Sequence, residues 1–122
     1  MIDKYGDDVH FVVLYVTEPH PIGSPSPYSG EEWPLSNSYD NGGNPVRQPL
    51  TYEERVQLAA LCVADAGITS LVLVDKIENP VWQVYGSAPN SAYLVDTDRK
   101  IMEAQLWYDV DEMEAAIERL IR

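Results

Sequence analysis

Residues 9–17, Val-His-Phe-Val-Val-Leu-Tyr-Val-Thr, form an almost unbroken run of β-branched and aromatic side chains. Apolar character on both faces of such a run predicts an interior strand covered on two sides. Residues 51–66 switch to helical periodicity, with Val56, Ala59, Ala60 and Val63 spaced i, i+3, i+4, i+7. Thr51 and Glu54 supply a capping box and Gly67 a stop, while Leu58, Leu61 and Cys62 widen the apolar face into that of a well-buried helix. Residues 71–75 read as a short buried strand. Asn79 and Pro80 then open a short helix reaching about Tyr85. Residues 91–96 and 101–106 flank the turn 97–100 and predict a β-hairpin. Asp109 and Glu112 form a second capping box, and Val110, Met113, Ala116, Ile117, Leu120 and Ile121 mark an amphipathic helix.

Between the first strand and the first long helix lies a different kind of sequence. Residues 18–50 hold seven of the nine prolines and four of the seven glycines, which excludes regular structure. So long a loop within one domain is either functional or a loose insertion. Trp33, Tyr28, Tyr39 and Leu35 are candidates to pin it to a surface. The element order β, long loop, α, β, α, β-hairpin, α predicts a single α/β domain over residues 1–122.

Composition narrows the function. The chain of 122 residues carries 20 acidic and 8 basic residues, a formal net charge of −12. That excludes a generic nucleic-acid phosphate binder and disfavours docking on anionic lipid. No apolar run reaches the 18 or so residues of a membrane span, and the polar start is no secretion signal, so the expectation is a cytoplasmic protein. Cys62 is the single cysteine, which excludes an internal disulfide and a cysteine zinc cluster. Its place mid-helix on an apolar face predicts a buried, inert thiol. No metal or cofactor is expected.

The segments also resemble those of a known family when read in order. Tyr15-Val16-Thr17-Glu18-Pro19-His20-Pro21 is similar to a strand end found in bacterial redoxins of the iodothyronine deiodinase-like family. Trp33 would match that family's loop tryptophan. Gln48-Pro49-Leu50-Thr51-Tyr52-Glu53-Glu54-Arg55 resembles its approach to a helix, Leu73-Val74-Asp75 a strand end, and Tyr85-Gly86-Ser87-Ala88-Pro89 the segment before its hairpin. The resemblance covers nearly all of the chain. It implies a partial thioredoxin-like three-layer sandwich ending in a β-hairpin and helix. Pro89 would then stand for the proline, usually cis, that faces the active site in such folds.

The same resemblance implies that the nucleophile sits on a preceding strand and helix. Residues 5–8 resemble the end of that helix, and the strand itself does not occur in the sequence. The chain also departs at Pro89-Asn90-Ser91-Ala92, where family members often carry acidic and arginine residues after the proline and Ser91 cannot take the arginine's part. Within this chain the best chemical pair is Glu18 and His20, which follow a strand directly, where α/β folds place ligand sites. His20 is either a general acid or base tuned by a carboxylate, or a brace between two prolines. Two residues alone do not make a metal site. Trp33 and Pro89 are the candidate ligand contacts, while Trp82 and Tyr85 are read as core.

Three readings stay open at this point. One is a redox domain whose thiol or selenol comes from a missing N-terminal segment or a partner chain. Another is a binding module that kept the fold and lost its chemistry. The last is a structural subunit that uses the proline-rich loop as an arm. For the isolated chain the expectation leans away from an enzyme. The missing strand would leave two apolar strand edges facing a gap, which predicts closure of 9–17 onto 91–96, or a homo-oligomer or protein partner covering the edge.

Overall fold

The computed structural model describes residues 1–32, 46–86 and 88–122. The chain is mixed α/β, with α1 at Ile2–Tyr5, β1 at Val12–Tyr15, α2 at Tyr52–Ala66 and β2 at Leu71–Val74. It continues with α3 at Pro80–Tyr85, β3 at Ala92–Val95, β4 at Ile101–Gln105 and α4 at Val110–Ile121. Every element expected from the sequence forms, and α1 ends at Tyr5, the first of the residues that resemble a helix end. The strands are shorter than their apolar runs. Ladder pairing begins only at Val12, while Val9 and Phe11 pack against the core formed with β3 and α4.

That core joins the two ends of the chain. Tyr5, Leu94, Met113, Ala116 and Ile117 are buried together, with Val9, Phe11, Ala92 and Leu120 packed around them. The Lys4 Nζ donates to Glu114 Oε1 at 2.6 Å and reaches Glu118 Oε1 at 3.3 Å. The Tyr5 hydroxyl lies 2.8 Å from the same two carboxylate oxygens. Its single proton serves one of them at a time, so Lys4 is needed to satisfy the other. These contacts hold α1 against α4. The Asp109 carboxylate accepts from the Glu112 amide at 2.9 Å, as the capping box requires. Gln105 Oε1 accepts from the Asp109 amide, a role the sequence assigned to Glu112.

The other half is built on β1 and β2, which pair in parallel with Val12 opposite Leu71 and Tyr15 opposite Val74. The helix α2 packs on β2. Its Thr51 hydroxyl accepts from the Glu54 amide, and Gly67 adopts a left-handed φ of 64° that only glycine takes without strain. Two expectations of burial fail here. Of the helix's apolar stripe only Ala59 is fully buried, and the side chain that joins it is Arg55. On the sheet, Val72 and Val74 are half-buried, whereas Val12, Leu14, Leu71 and Leu73 share the opposite face and are 45–60% exposed. The strand 9–17 is therefore not covered on two sides.

The sheet is divided. Among the described residues β1 pairs only with β2, and β3 only with β4. The antiparallel pair shifts register between Leu94 and Val95, next to a turn in which Asp96 Oδ1 accepts from the amides of Asp98 and Lys100. The anticipated closure of 9–17 onto 91–96 does not occur in the single chain. No described helix is long and apolar enough to cross a membrane.

Candidate functional site

Buried polar side chains gather where β1 and β2 end, in the position that α/β architecture reserves for sites. Glu18 is 3% exposed, Asp75 4% and Arg55 1%. Each is held by specific partners. Glu18 leaves β1 after Thr17, and the Tyr15 hydroxyl donates to its Oε1. Gln48, at the far end of the proline-rich loop, clasps the same residue. Its Oε1 accepts from the Glu18 amide at 2.9 Å and its Nε2 donates to the Glu18 carbonyl at 3.1 Å. Asp75 ends β2 and caps α3, accepting from the amides of Val81 at 3.2 Å and Trp82 at 3.0 Å. Asn79, expected to be the cap, instead takes a left-handed φ of 61° and makes no side-chain capping bond.

Arg55 is the hub. Its Nη1 donates to the carbonyls of Asp75 at 3.2 Å and Lys76 at 2.7 Å. Burial pushes its pKa down, and the charges of Asp75 and Glu18 push it back up. A guanidinium stays charged under any such balance, so Arg55 neutralises two buried carboxylates and ties α2 to the end of β2. This arrangement is structural chemistry. Both Asp75 oxygens are occupied by α3 amides, and the Glu18 carboxylate is held by Tyr15.

The candidate residues from the sequence are distributed as follows. Glu18 belongs to this cluster, while His20 is half-buried between Pro19 and Pro21. Trp33 lies outside the described residues. Pro89 is half-buried in the turn before β3, and no described peptide bond is cis, so it departs from the usual geometry of the redoxin proline. Cys62 is half-buried rather than buried, and its thiol pKa is raised by burial and by the nearby charges of Glu18 and Asp65. A raised pKa lowers the thiolate fraction, the form that acts as a nucleophile. Trp82 packs edge-on against Tyr28 at 5.7 Å between ring centres, so the loop is pinned near α3. Tyr85 is exposed and lies 5.3 Å from the Tyr93 ring, which makes it surface and not core. The two ends of the loop meet where the Ile22 amide donates to the Val46 carbonyl at 2.8 Å.

Sequence reasoning missed Arg55, Asp75, Gln48 and Tyr15 as one network. The sequence shows that Arg55 falls four residues before Ala59, but its burial depended on how α2 meets the sheet. A groove of about 480 Å³ adjoins the cluster, lined by Leu14, Tyr52, Val56, Val74, Pro80 and Val81. It is apolar, with Lys76 exposed at its rim. No three His, Cys, Asp or Glu side chains converge as a metal site among the described residues.

A second feature is the open edge of β1. The Tyr15 carbonyl accepts from the Asp75 amide at 2.9 Å, so Tyr15 and Val13 direct their backbone toward β2. In a parallel ladder alternate residues face opposite neighbours, so Val12 and Leu14 present their N–H and C=O groups to the other edge. Among the described residues no backbone hydrogen bond reaches those groups. The devices that guard natural edges, such as charge, proline and a bulge, are absent from 11–17.

No protein-family model and no solved structure matches the chain.

Neither feature offers an activated nucleophile. The polar cluster holds the loop, α2 and α3 in place. The open edge presents hydrogen-bonding groups beside an aliphatic surface.

Proposed function

We propose that the chain is a thioredoxin-like interaction module without a redox nucleophile of its own, whose divided sheet is completed by a strand from outside residues 1–122. The observation that carries this reading is the open edge of β1, where Val12 and Leu14 offer paired donors and acceptors beside a half-exposed aliphatic face. Unpaired backbone groups flanked by apolar side chains are a template for strand addition. The order of elements, the parallel β1–β2 pair and the separate hairpin support the redoxin resemblance, in which a strand stands between these two pairs. The raised pKa of Cys62 supports the absence of intrinsic thiol chemistry.

Amide hydrogen exchange of the isolated chain tests the proposal. Val12 and Leu14 exchange rapidly while Val13 and Tyr15 are protected. Addition of a β-forming peptide then slows Val12 and Leu14 selectively. Protection of Val12 and Leu14 in a monomer without peptide would show a sheet closed within the chain and would end this reading.

A further inference from the structure

The amino end of the β1–β2 pair has a charge character that its carboxyl end lacks. Asp7 and Asp8, both exposed, lead into β1. The strand β2 begins just after the carboxyl end of α2, which carries Asp65 and has no basic residue in its last turn. The carbonyl end of a helix adds roughly half a negative charge there. No lysine or arginine occurs between Lys4 and Arg47, and Lys4 is committed to Glu114 and Glu118. At the other end of the pair Lys76 is exposed and Arg55 balances Glu18 and Asp75, so the charges are mixed.

We infer that the segment docking on β1 is a strand from a basic partner, with lysine or arginine at the end that meets Asp7 and Asp8, and aliphatic side chains toward Val12, Leu14, Leu71 and Leu73. This rests on the strand-completion reading and adds the chemistry of the partner. A second copy of the chain is the competing occupant, and charge argues against it. Each copy carries −12, and a second β1 brings no lysine or arginine within residues 5–46 to face the acidic end. A basic strand satisfies both the backbone edge and the local field, which steers its approach and sets its direction.

Three ten-residue peptides of alternating valine and threonine supply the test. One carries two lysines at its amino end, one carries them at its carboxyl end, and one replaces them with glutamates. Titration followed by the amide signals of Val12 and Leu14 gives the affinities in 50 mM and 500 mM salt. The better lysine peptide binds roughly five- to tenfold more tightly than the glutamate peptide in low salt, about what two exposed ion pairs supply. Most of that advantage disappears in 500 mM salt and in the D7N/D8N variant. In Leu14→Pro both lysine peptides lose binding, because the ring removes a donor that faces the open edge and leaves the β1–β2 ladder bonds intact. A peptide N-methylated at both its central valine and the adjacent threonine gives the same loss without altering the protein, since one of those two N–H groups faces β1 in either strand direction.

Equal binding of the lysine and glutamate peptides overturns the basic partner and leaves strand completion standing. Failure of all three peptides on a monomer overturns both. A dimer at micromolar concentration with Val12 and Leu14 protected makes the second copy the occupant and overturns the basic partner.

Discussion

Replacing Arg55 with methionine removes the one cation of the buried cluster while nearly conserving volume. The backbone carbonyls of Asp75 and Lys76 lose their donor, and Glu18 and Asp75 lose the opposing charge. Removing one partner of a buried ionic group costs about 3–5 kcal/mol. Two features place Arg55→Met at the lower end. Both carboxylates keep other donors, the Tyr15 hydroxyl for Glu18 and two α3 amides for Asp75. In addition, the Arg55 Nε is buried without an acceptor, so methionine relieves one unmet group. The expected loss is about 3 kcal/mol, a large share of the roughly 5–15 kcal/mol of a domain. Urea unfolding followed by tryptophan fluorescence measures it, with Arg55→Lys expected to retain part of the loss because its charge survives but its fork does not. A double-mutant cycle with Glu18→Gln isolates the electrostatic share, expected at about 1 kcal/mol of coupling. A loss below about 1 kcal/mol for Arg55→Met, or strict additivity with Glu18→Gln, would refute the hub role.

Three further outcomes follow from particular contacts. The isolated chain shows no reductant-dependent thiol, peroxidase or deiodinase turnover, and Cys62 alkylates more slowly than a free thiol at pH 8, gaining rate only above its ordinary value of 9.0; turnover lost in Cys62→Ser would contradict this. Hydrogen bonds from Lys4 to Glu114 and from Tyr5 to Glu118 depress both carboxylate pKa values below 4.5. Their contribution is therefore complete above pH 4.5 and fades as pH falls through the lowered values. Thermal melts of the parent and of Lys4→Met should converge in acid, and a gap that widens there would disprove the linkage. Asp75→Ala strips two amides at the start of α3 of their acceptor and leaves Arg55 with less opposing charge, costing about 2 kcal/mol; Asp75→Asn, which keeps an acceptor oxygen, recovers part of it, and equal losses would assign the effect to charge alone.

Local patterns determined the elements. The 3.6-residue spacing of Met113, Ala116, Ile117 and Leu120, the capping residues Thr51 and Asp109, and the stop at Gly67 act over a few residues, so they can be read without knowing the fold. The place of Cys62 mid-helix, away from any helix N-terminus, is read in the same local way. Tertiary structure decided burial and pairing. Periodicity marks which face of α2 is apolar, but not how much of it meets the sheet, so Leu61 and Val56 remained exposed while Arg55 did not. The apolar run at 9–17 carried no information about its neighbours: Val9 and Phe11 went to the α4 core, Val12–Tyr15 to β2, and one edge was left open. The cap of α3 was likewise a long-range choice. Asp75 reaches the amides of Val81 and Trp82 from the end of β2, which Arg55 also contacts, and no local rule distinguishes that carboxylate from Asn79.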